Sequence, residues 1–522
     1  EISLGLVGSE MCIRDSYNDI TNMTWSNILT YQTKIKKKHN LDLLAGYEIN
    51  SKESDGLGTT ISNFARWDKP EVNNGVVYQS MGGSNSTTRI VSYITRANYD
   101  YDNKYYLGAS WRTDGSSRLA RENRWGNFWS LSGAWRVSSE SFMKPLQNWL
   151  SDLKLRVSYG VNGTLPSSYY GYMGLSSLTS NYNDNPGITQ SQLENKELTW
   201  ETNYNFNSGI DLGFFDNRLN VTFEYYVRTT KNLLYSRPLS LATGFSSYLA
   251  NIGKLQNKGY ELEIRSTNIE TKDFRWSTSL NLGHNANKIL KLDGDLKQVT
   301  SGTSIHKVGL PYSTYYMIEF AGIDPADGEP MFYKNTTDEN GNLNKETTKD
   351  PRSAEKVILQ CADPTITGGL GNSISYKWFD LNFNVNFSFG AWNYDGAAGK
   401  LEHGGDGTLN IPIYYRKRWQ KEGDETSIER FVVGRSISMT DYATTRRLYS
   451  GDYVRLKNLT FGFTLPKTWT RKVGIDNIRL YASGNNLLTW AAYDYIDPES
   501  GSSPSWDTPP MRTYTFGLEV KF

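Results

Sequence analysis

Cysteine and histidine are scarce in this chain, and each scarcity closes a route. Two cysteines in 522 residues, Cys12 and Cys361, give neither a disulfide framework nor the spacing of a zinc site. Four histidines, His39, His284, His306 and His403, offer thin material for metal catalysis or for a general base with its orienting partner. The 56 basic and 55 acidic residues leave a net charge of +1, so the basic field that nucleic-acid binding needs is missing. No run approaches the roughly 18 apolar residues of a membrane helix. These scarcities lead us to expect no enzyme activity, no metal, no cofactor and no nucleic-acid partner.

What the chain has is aromatic residues, 35 Tyr, 20 Phe and 15 Trp, together with 46 Gly. They are arranged with a period of two. In the last twelve residues Tyr514, Phe516, Leu518, Val520 and Phe522 fall on one face of an extended strand, while Thr515, Gly517, Glu519 and Lys521 fall on the other. A chain that ends on an aromatic residue after such alternation has the form of the closing strand of an outer-membrane barrel, with one face for lipid and one for water.

The same dyad recurs upstream. Phe379, Leu381, Phe383, Val385, Phe387 and Phe389 alternate with Asp380, Asn382, Asn384, Asn386 and Ser388. Leu219, Val221, Phe223, Tyr225 and Val227 alternate in the same way with Asn220, Thr222, Glu224, Tyr226 and Arg228. The pattern predicts fifteen strands, at 22–34, 40–52, 88–101, 104–114, 127–138, 152–162, 198–213, 217–230, 255–268, 273–287, 366–376, 379–391, 451–465, 476–489 and 512–522. A soluble sandwich would also alternate. The connections decide against it, because short ones (102–103, 214–216, 269–272, 377–378) alternate strictly with long ones (53–87, 163–197, 231–254, 288–365, 392–450, 490–511). Short turns on one side of a membrane and long loops on the other are the arrangement of a barrel. The fold expected is therefore all-β, a transmembrane antiparallel β-barrel. Within the short connections, 139–151 carries Phe142, Leu146, Trp149 and Leu150 at near-helical spacing, which fits either a short amphipathic helix or a packed turn.

Several passages resemble the C-terminal part of the SusC/RagA family of TonB-linked outer-membrane transporters of Bacteroidetes. They are RANYDYDNKYYLGASWRTDGSSR with NRWGNFWSLSGAWRVSSESF and NWLSDLKLRVSYGVNG over 96–163, AGIDPADGEPMFY at 321–333, YVRLKNLTFGFTLPK at 453–467, IRLYASGNNLLTW at 478–490 and the closing RTYTFGLEVKF. The resemblance implies a barrel of about 22 strands with a plugged lumen, of which this chain would hold about 15, with the N-terminal plug absent. It implies import of glycans or peptides into the periplasm, energy delivered by TonB-ExbB-ExbD through the missing N-terminal region, a SusD-like surface lipoprotein as partner, and a place in outer-membrane lipid. No signal peptide is visible, so the chain is expected to be a piece of a longer product. Residues 1–16 resemble translated adapter-like DNA and are expected to be a non-native leader to the barrel part at 17–522.

Aromatic and amide residues in the long loops are the candidates for substrate contact, since a ring face can stack on a sugar while Asn, Asp and Arg bind hydroxyls. They are Tyr170, Tyr172, Tyr182 and Asn183 in one loop, Tyr315, Tyr316 and Asp327 in a second, and Trp392, Tyr394 and Asp395 in a third. Girdle formation and loop packing are the plainer readings of the same tyrosines and tryptophans. Asp324–Glu329 and Asp338–Asn342 resemble fragments of a calcium loop without completing one, and read better as turns. Residues 114–118 (DGSSR) read as a structural turn, and 403–407 (HGGDG) as a flexible loop without a nucleophile to complete it. Glu261 and Glu263 share the strand face expected to be wet. Two other functions compete with import: a barrel-scaffolded outer-membrane enzyme, and a surface carbohydrate-binding protein or adhesin.

Overall fold

The structure, a computed structural model, describes residues 12–64, 71–183, 185–292, 294, 296–338, 341–405, 410–433, 442–493, 495–500 and 509–522. Among them, fifteen long strands hydrogen-bond in chain order: β1 (Cys12–Ile35), β2 (His39–Phe64), β3 (Gly75–Tyr101), β4 (Tyr105–Ser116), β5 (Trp125–Arg136), β6 (Leu150–Thr164), β7 (Glu201–Phe214), β8 (Leu219–Lys231), β9 (Lys254–Glu270), β10 (Phe274–Lys291), β11 (Ile366–Tyr376), β12 (Phe379–Phe389), β13 (Tyr453–Thr464), β14 (Asn477–Ala491) and β15 (Thr513–Lys521). Every strand expected from the dyad is present. The ends agree within about four residues except in β1 to β3.

The chain divides into two compact units, 1–134 with 158–205 and 230–252, and 135–157 with 206–229 and 253–522. In the first, β1 pairs with β2 from Cys12–Ser62 to Ile35–His39 without a slip, and β2 pairs with β3 along nearly its whole length. The expected long loop at 53–87 is therefore mostly strand. Apolar alternation stops near Ser51, but the ladder is made by backbone groups. Where both faces are wet, Ser, Gly, Asn and Thr carry it without a hydrophobic face. Cys12–Ser16, within the expected leader, pair with Gly58–Ser62 as part of β1, while residues 1–11 lie outside the described residues. Asp102 and Asn103, both at positive φ, are the central residues of the three-residue connection between β3 and β4, closed by the Lys104 amide donating to the Tyr101 carbonyl at 2.9 Å. A core of Leu119, Phe128, Val161, Leu198 and Trp200 closes over the loop side, with Phe128 edge-on to Trp200 at 5.2 Å. The DGSSR turn is structural. Asp114 is ion-paired with Arg112 at 2.7 Å, and Arg118 donates to the Pro166 carbonyl while lying over the Tyr169 ring.

In the second unit the two sheet faces separate by chemistry. Phe379, Phe461 and Phe463 stack on one face. The other carries Asp380 paired with Arg479 at 2.7 Å, Arg156 bridging Asp211 and Glu224 at 2.8 and 2.7 Å, and an amide contact of Asn458 with Asn485. Opposite charges across neighbouring strands satisfy each other where a hydrated face must still be ordered. β15 pairs with β14 so that Tyr481 faces Gly517, and a Cβ at Gly517 would overlap the Tyr481 ring, which is why glycine stands there. The connection 137–149 is a pair of 3₁₀ turns, Val137–Ser139 and Ser141–Leu146, the second containing Pro145, which has no N–H to donate. Its Met143 packs with Val137 and Leu150, whereas Phe142, Leu146 and Trp149 face outward.

Candidate functional site

The long loops fold instead of hanging free. In the second unit the segment after β10 builds a four-stranded sheet (Gln298–Ser301, Ser304–Lys307, Thr314–Ile318, Lys356–Cys361) and a three-stranded one (Phe320–Ile323, Pro330–Tyr333, Thr347–Thr348). The segment after β12 pairs Trp392–Tyr394 with Leu448–Ser450 and follows with a short helix, Gly396–Leu401. Asp395 starts that helix by accepting from the Ala398 amide at 2.7 Å, and it also accepts from the Tyr493 hydroxyl at 3.2 Å.

Around Asp395 the loops assemble a cluster of charges and phenols. Glu429 has no exposed surface and holds Arg446, which also reaches Glu402 at 3.7 Å. Glu402 accepts from Arg447 at 3.2 Å and from the Tyr414 hydroxyl at 2.6 Å, and Glu429 accepts from the Tyr415 hydroxyl at 3.0 Å. Burial alone would lower the Arg446 pKa, but Glu429 and Glu402 outweigh it and hold the guanidinium charged. Burial, aided by the neighbouring carboxylates, pushes the Tyr414, Tyr415 and Tyr493 phenols above their usual range. Aromatic rings continue the cluster outward. Tyr449 stacks on Tyr493 at 3.7 Å, and the Tyr495 ring lies 5.3 Å from Tyr493 and 5.2 Å from Tyr414. Just beyond, Arg455 bridges Asp497 and Glu499 at 2.5 and 2.7 Å, tying the segment after β14 down onto β13.

The residues expected to contact substrate meet different fates. Trp392 and Tyr394 pair through their backbones with Ser450 and Leu448, on either side of Tyr449, and Asp395 joins the cluster as a buried helix cap. Tyr315 is buried, and Tyr316 lies beneath Lys356 with its ring centre 6.0 Å from the ammonium. Asp327 shares Lys349 with Asp324, and that lysine holds both carboxyls below the usual range in a turn closed by Gly328. Asp338 closes its own turn with Asn342, and residues 339 and 340 lie outside the described residues. In the first unit, the Tyr170 hydroxyl accepts from the Thr87 amide, Tyr172 packs on the hydrophobic core, and Tyr182 with Asn183 forms the exposed tip of the hairpin Leu175–Tyr182 and Asn185–Gln192. The HGGDG segment is anchored up to Gly405. His403 is buried, and Gly404 accepts from the Val432 amide at 2.8 Å; Asp406 and Gly407 lie outside the described residues. Tyr414, Tyr449, Tyr493, Tyr495, Glu402, Glu429, Arg446 and Arg455 were not singled out from the sequence. The alternating tyrosines of AAYDYIDPE at 491–499 were the available signal.

Residues 7–487 match the family model described as TonB dependent receptor-like, beta-barrel. The chain belongs to that family. TonB-dependent receptor P3 of Formosa agariphila is 34% identical over 97% of this chain and 53% of its own length. TonB-dependent receptor SusC of Bacteroides thetaiotaomicron is 30% identical over 83% of this chain and 44% of its own. Among solved structures, the RagAB peptide transporter superposes with a TM-score of 0.84 at 28% identity, covering 98% of this chain and 56% of that one. The receptor chain is thus of SusC/RagA type and spans about half the length of the relatives it matches. Its strands belong to an outer-membrane β-barrel, so the face of Tyr514, Phe516, Leu518 and Val520, with the terminal Phe522, meets lipid and the face of Asp380, Arg479 and Glu519 meets the lumen.

Proposed function

We propose that this chain is the barrel part of an active importer that carries glycans or oligopeptides across the outer membrane. TonB, acting through an upstream plug, supplies the energy, and a SusD-like surface lipoprotein works beside the loops. The observation that carries this reading is similarity over nearly the whole chain both to receptor P3 and to the RagAB peptide transporter. Transport without covalent chemistry is supported by the imidazoles. His39 bonds Tyr99, His284 bonds the Thr365 carbonyl, His306 stacks on Tyr312, and His403 accepts from the Gly405 amide. Each is engaged in holding the fold. Residues 1–16 are proposed to be a non-native leader, which sequencing of the native locus across codon 16 tests.

The functional test compares cells carrying the complete receptor gene with deletions of that gene and of TonB. Both are given fluorescent neutral oligosaccharides and a labelled peptide pool. Accumulation of one class should need both the receptor and TonB. Receptor-dependent accumulation that persists without TonB, or accumulation of both classes indifferent to the receptor, would overturn the proposal.

A further inference from the structure

We propose that the connection between β5 and β6, residues 137–149, is a lipid-binding foot on the outside of the barrel wall. It holds a phospholipid of the periplasmic leaflet, with an acyl chain against Phe142, Leu146 and Trp149 and the headgroup phosphate on Lys144. The inference needs the outer-membrane barrel and is independent of what the barrel carries.

The side chains that the segment touches place it outside the wall. Arg136 lies 3.7 Å from Asp152, and Arg156 reaches Asp211 at 2.8 Å, so these four residues mark the lumen face of β5, β6 and β7. Trp135, Leu153, Leu212 and Phe214 alternate with them and stand on the outer face. The connection meets that outer set. Trp135 donates its indole N–H to Glu140 Oε1 at 3.3 Å. Leu153, Leu212 and Phe214 pack against the core of Val137, Met143 and Leu150, and the Trp149 ring stacks on Phe214 at 6.0 Å. Ser138, whose hydroxyl donates to Asp152 at 2.6 Å, pins the start of the segment at the rim. From there the chain folds back over the side of the strands that lipid covers.

The side turned away from the strands suits the same solvent. Phe142 is 61% and Trp149 46% exposed, and Leu146 is open as well. They extend the exposed outer face of β6, where Leu155 and Val157 stand, so the apolar surface runs from strand to connection and lipid is the occupant that this continuity selects. Such a patch needs a connection far longer than the bare turns at 215–218, 271–273 and 377–378. Lys144 adds the charge. It is exposed and makes no ion pair among the described residues. At the level of the short turns an ammonium is complementary to a lipid phosphate, while its aliphatic stem can lie along the acyl chains.

The test uses the complete receptor with its cysteines replaced by serine, reconstituted in vesicles of phosphatidylethanolamine and phosphatidylglycerol. Nitroxide labels are attached at Phe142→Cys, at Leu146→Cys and, in a bare turn, at Lys272→Cys. We expect power saturation to show the first two colliding several-fold more with dissolved oxygen than with a water-soluble nickel chelate, and the third doing the reverse. The unlabelled receptor and its Lys144→Glu form, both checked for heat-modifiable migration, are then titrated with phosphatidylglycerol in detergent and weighed by native mass spectrometry. Lys144→Glu should weaken binding of the first phospholipid about fivefold or more. A label at 142 that meets the nickel chelate as freely as the label at 272 would overturn the inference, as would phospholipid binding indifferent to Lys144→Glu. Spin–spin broadening between labels at 142 on two receptors would also overturn it, by putting a second copy of the chain on this face in place of lipid.

Discussion

The closing strand and the loop cluster follow opposite rules of burial. In β15, Phe516 is 84% exposed, and its charged neighbour Glu519 is turned toward Arg479 on the polar face. In the loop cluster, Glu429 and Tyr415 are sealed from solvent, and a guanidinium lies beside them. The solvent explains the reversal. Lipid covers the outer face of the strands, so exposure of an apolar side chain there is burial in another medium. The loops stand in water and must make their own interior. In this cluster they do so with paired charges and phenols, each buried group meeting a partner.

The strongest challenge to this contrast is Glu429→Ala. Among the described residues it leaves Arg446 with the longer ion pair to Glu402 and the face of the Phe320 ring, and it removes the acceptor of the Tyr415 hydroxyl, at a cost of about 3–5 kcal/mol. Hydrogen exchange should speed up across 392–450 while the heat-modifiable migration of the receptor stays unchanged. Loss of that migration would show that strands and loops are one cooperative structure. A smaller effect is expected from Leu518→Arg, which places a charge on the lipid face near the middle of β15 and should cost about 2–4 kcal/mol, read as lost folded band in the gel. Thr515→Arg, on the polar face, should leave that band near wild type. Equal damage from both would mean that the two faces of β15 are not distinguished by their surroundings.

The mildest probe is alkaline titration. Burial first, and then Glu402, Glu429 and Asp395, raise the phenols of Tyr414, Tyr415 and Tyr493, while burial and Asp395 raise Tyr449. In an unfolded loop these groups would ionise near about pH 10. The stability they contribute is therefore complete below about pH 10 and is lost as pH rises through their higher folded values. Tyrosinate absorbance should show a first wave from exposed tyrosines and a later one that coincides with loop opening. A single wave near pH 10 would contradict the buried phenols.

The strands were legible because a period of two is a local property. Phe379 to Phe389 declares its lipid face without reference to any other segment, and the alternation of short and long connections then orients the set. The β2–β3 extension was missed for the same reason, since Ser51 to Gly58 has no apolar face to declare. Within the loops, residue type pointed to Trp392, Tyr394 and Asp395 but could not separate a helix cap from a ligand contact. Asp395 became a cap because Ala398 and Tyr493 come to it from different directions.

The sequence by itself determined the number and facing of the membrane strands and the family, because lipid imposes one pattern on every crossing. Only the tertiary structure decided which polar loop residues are buried partners. Arg446 meets Glu429 across 17 positions and Tyr493 meets Asp395 across 98, and separations of that kind leave no periodic trace.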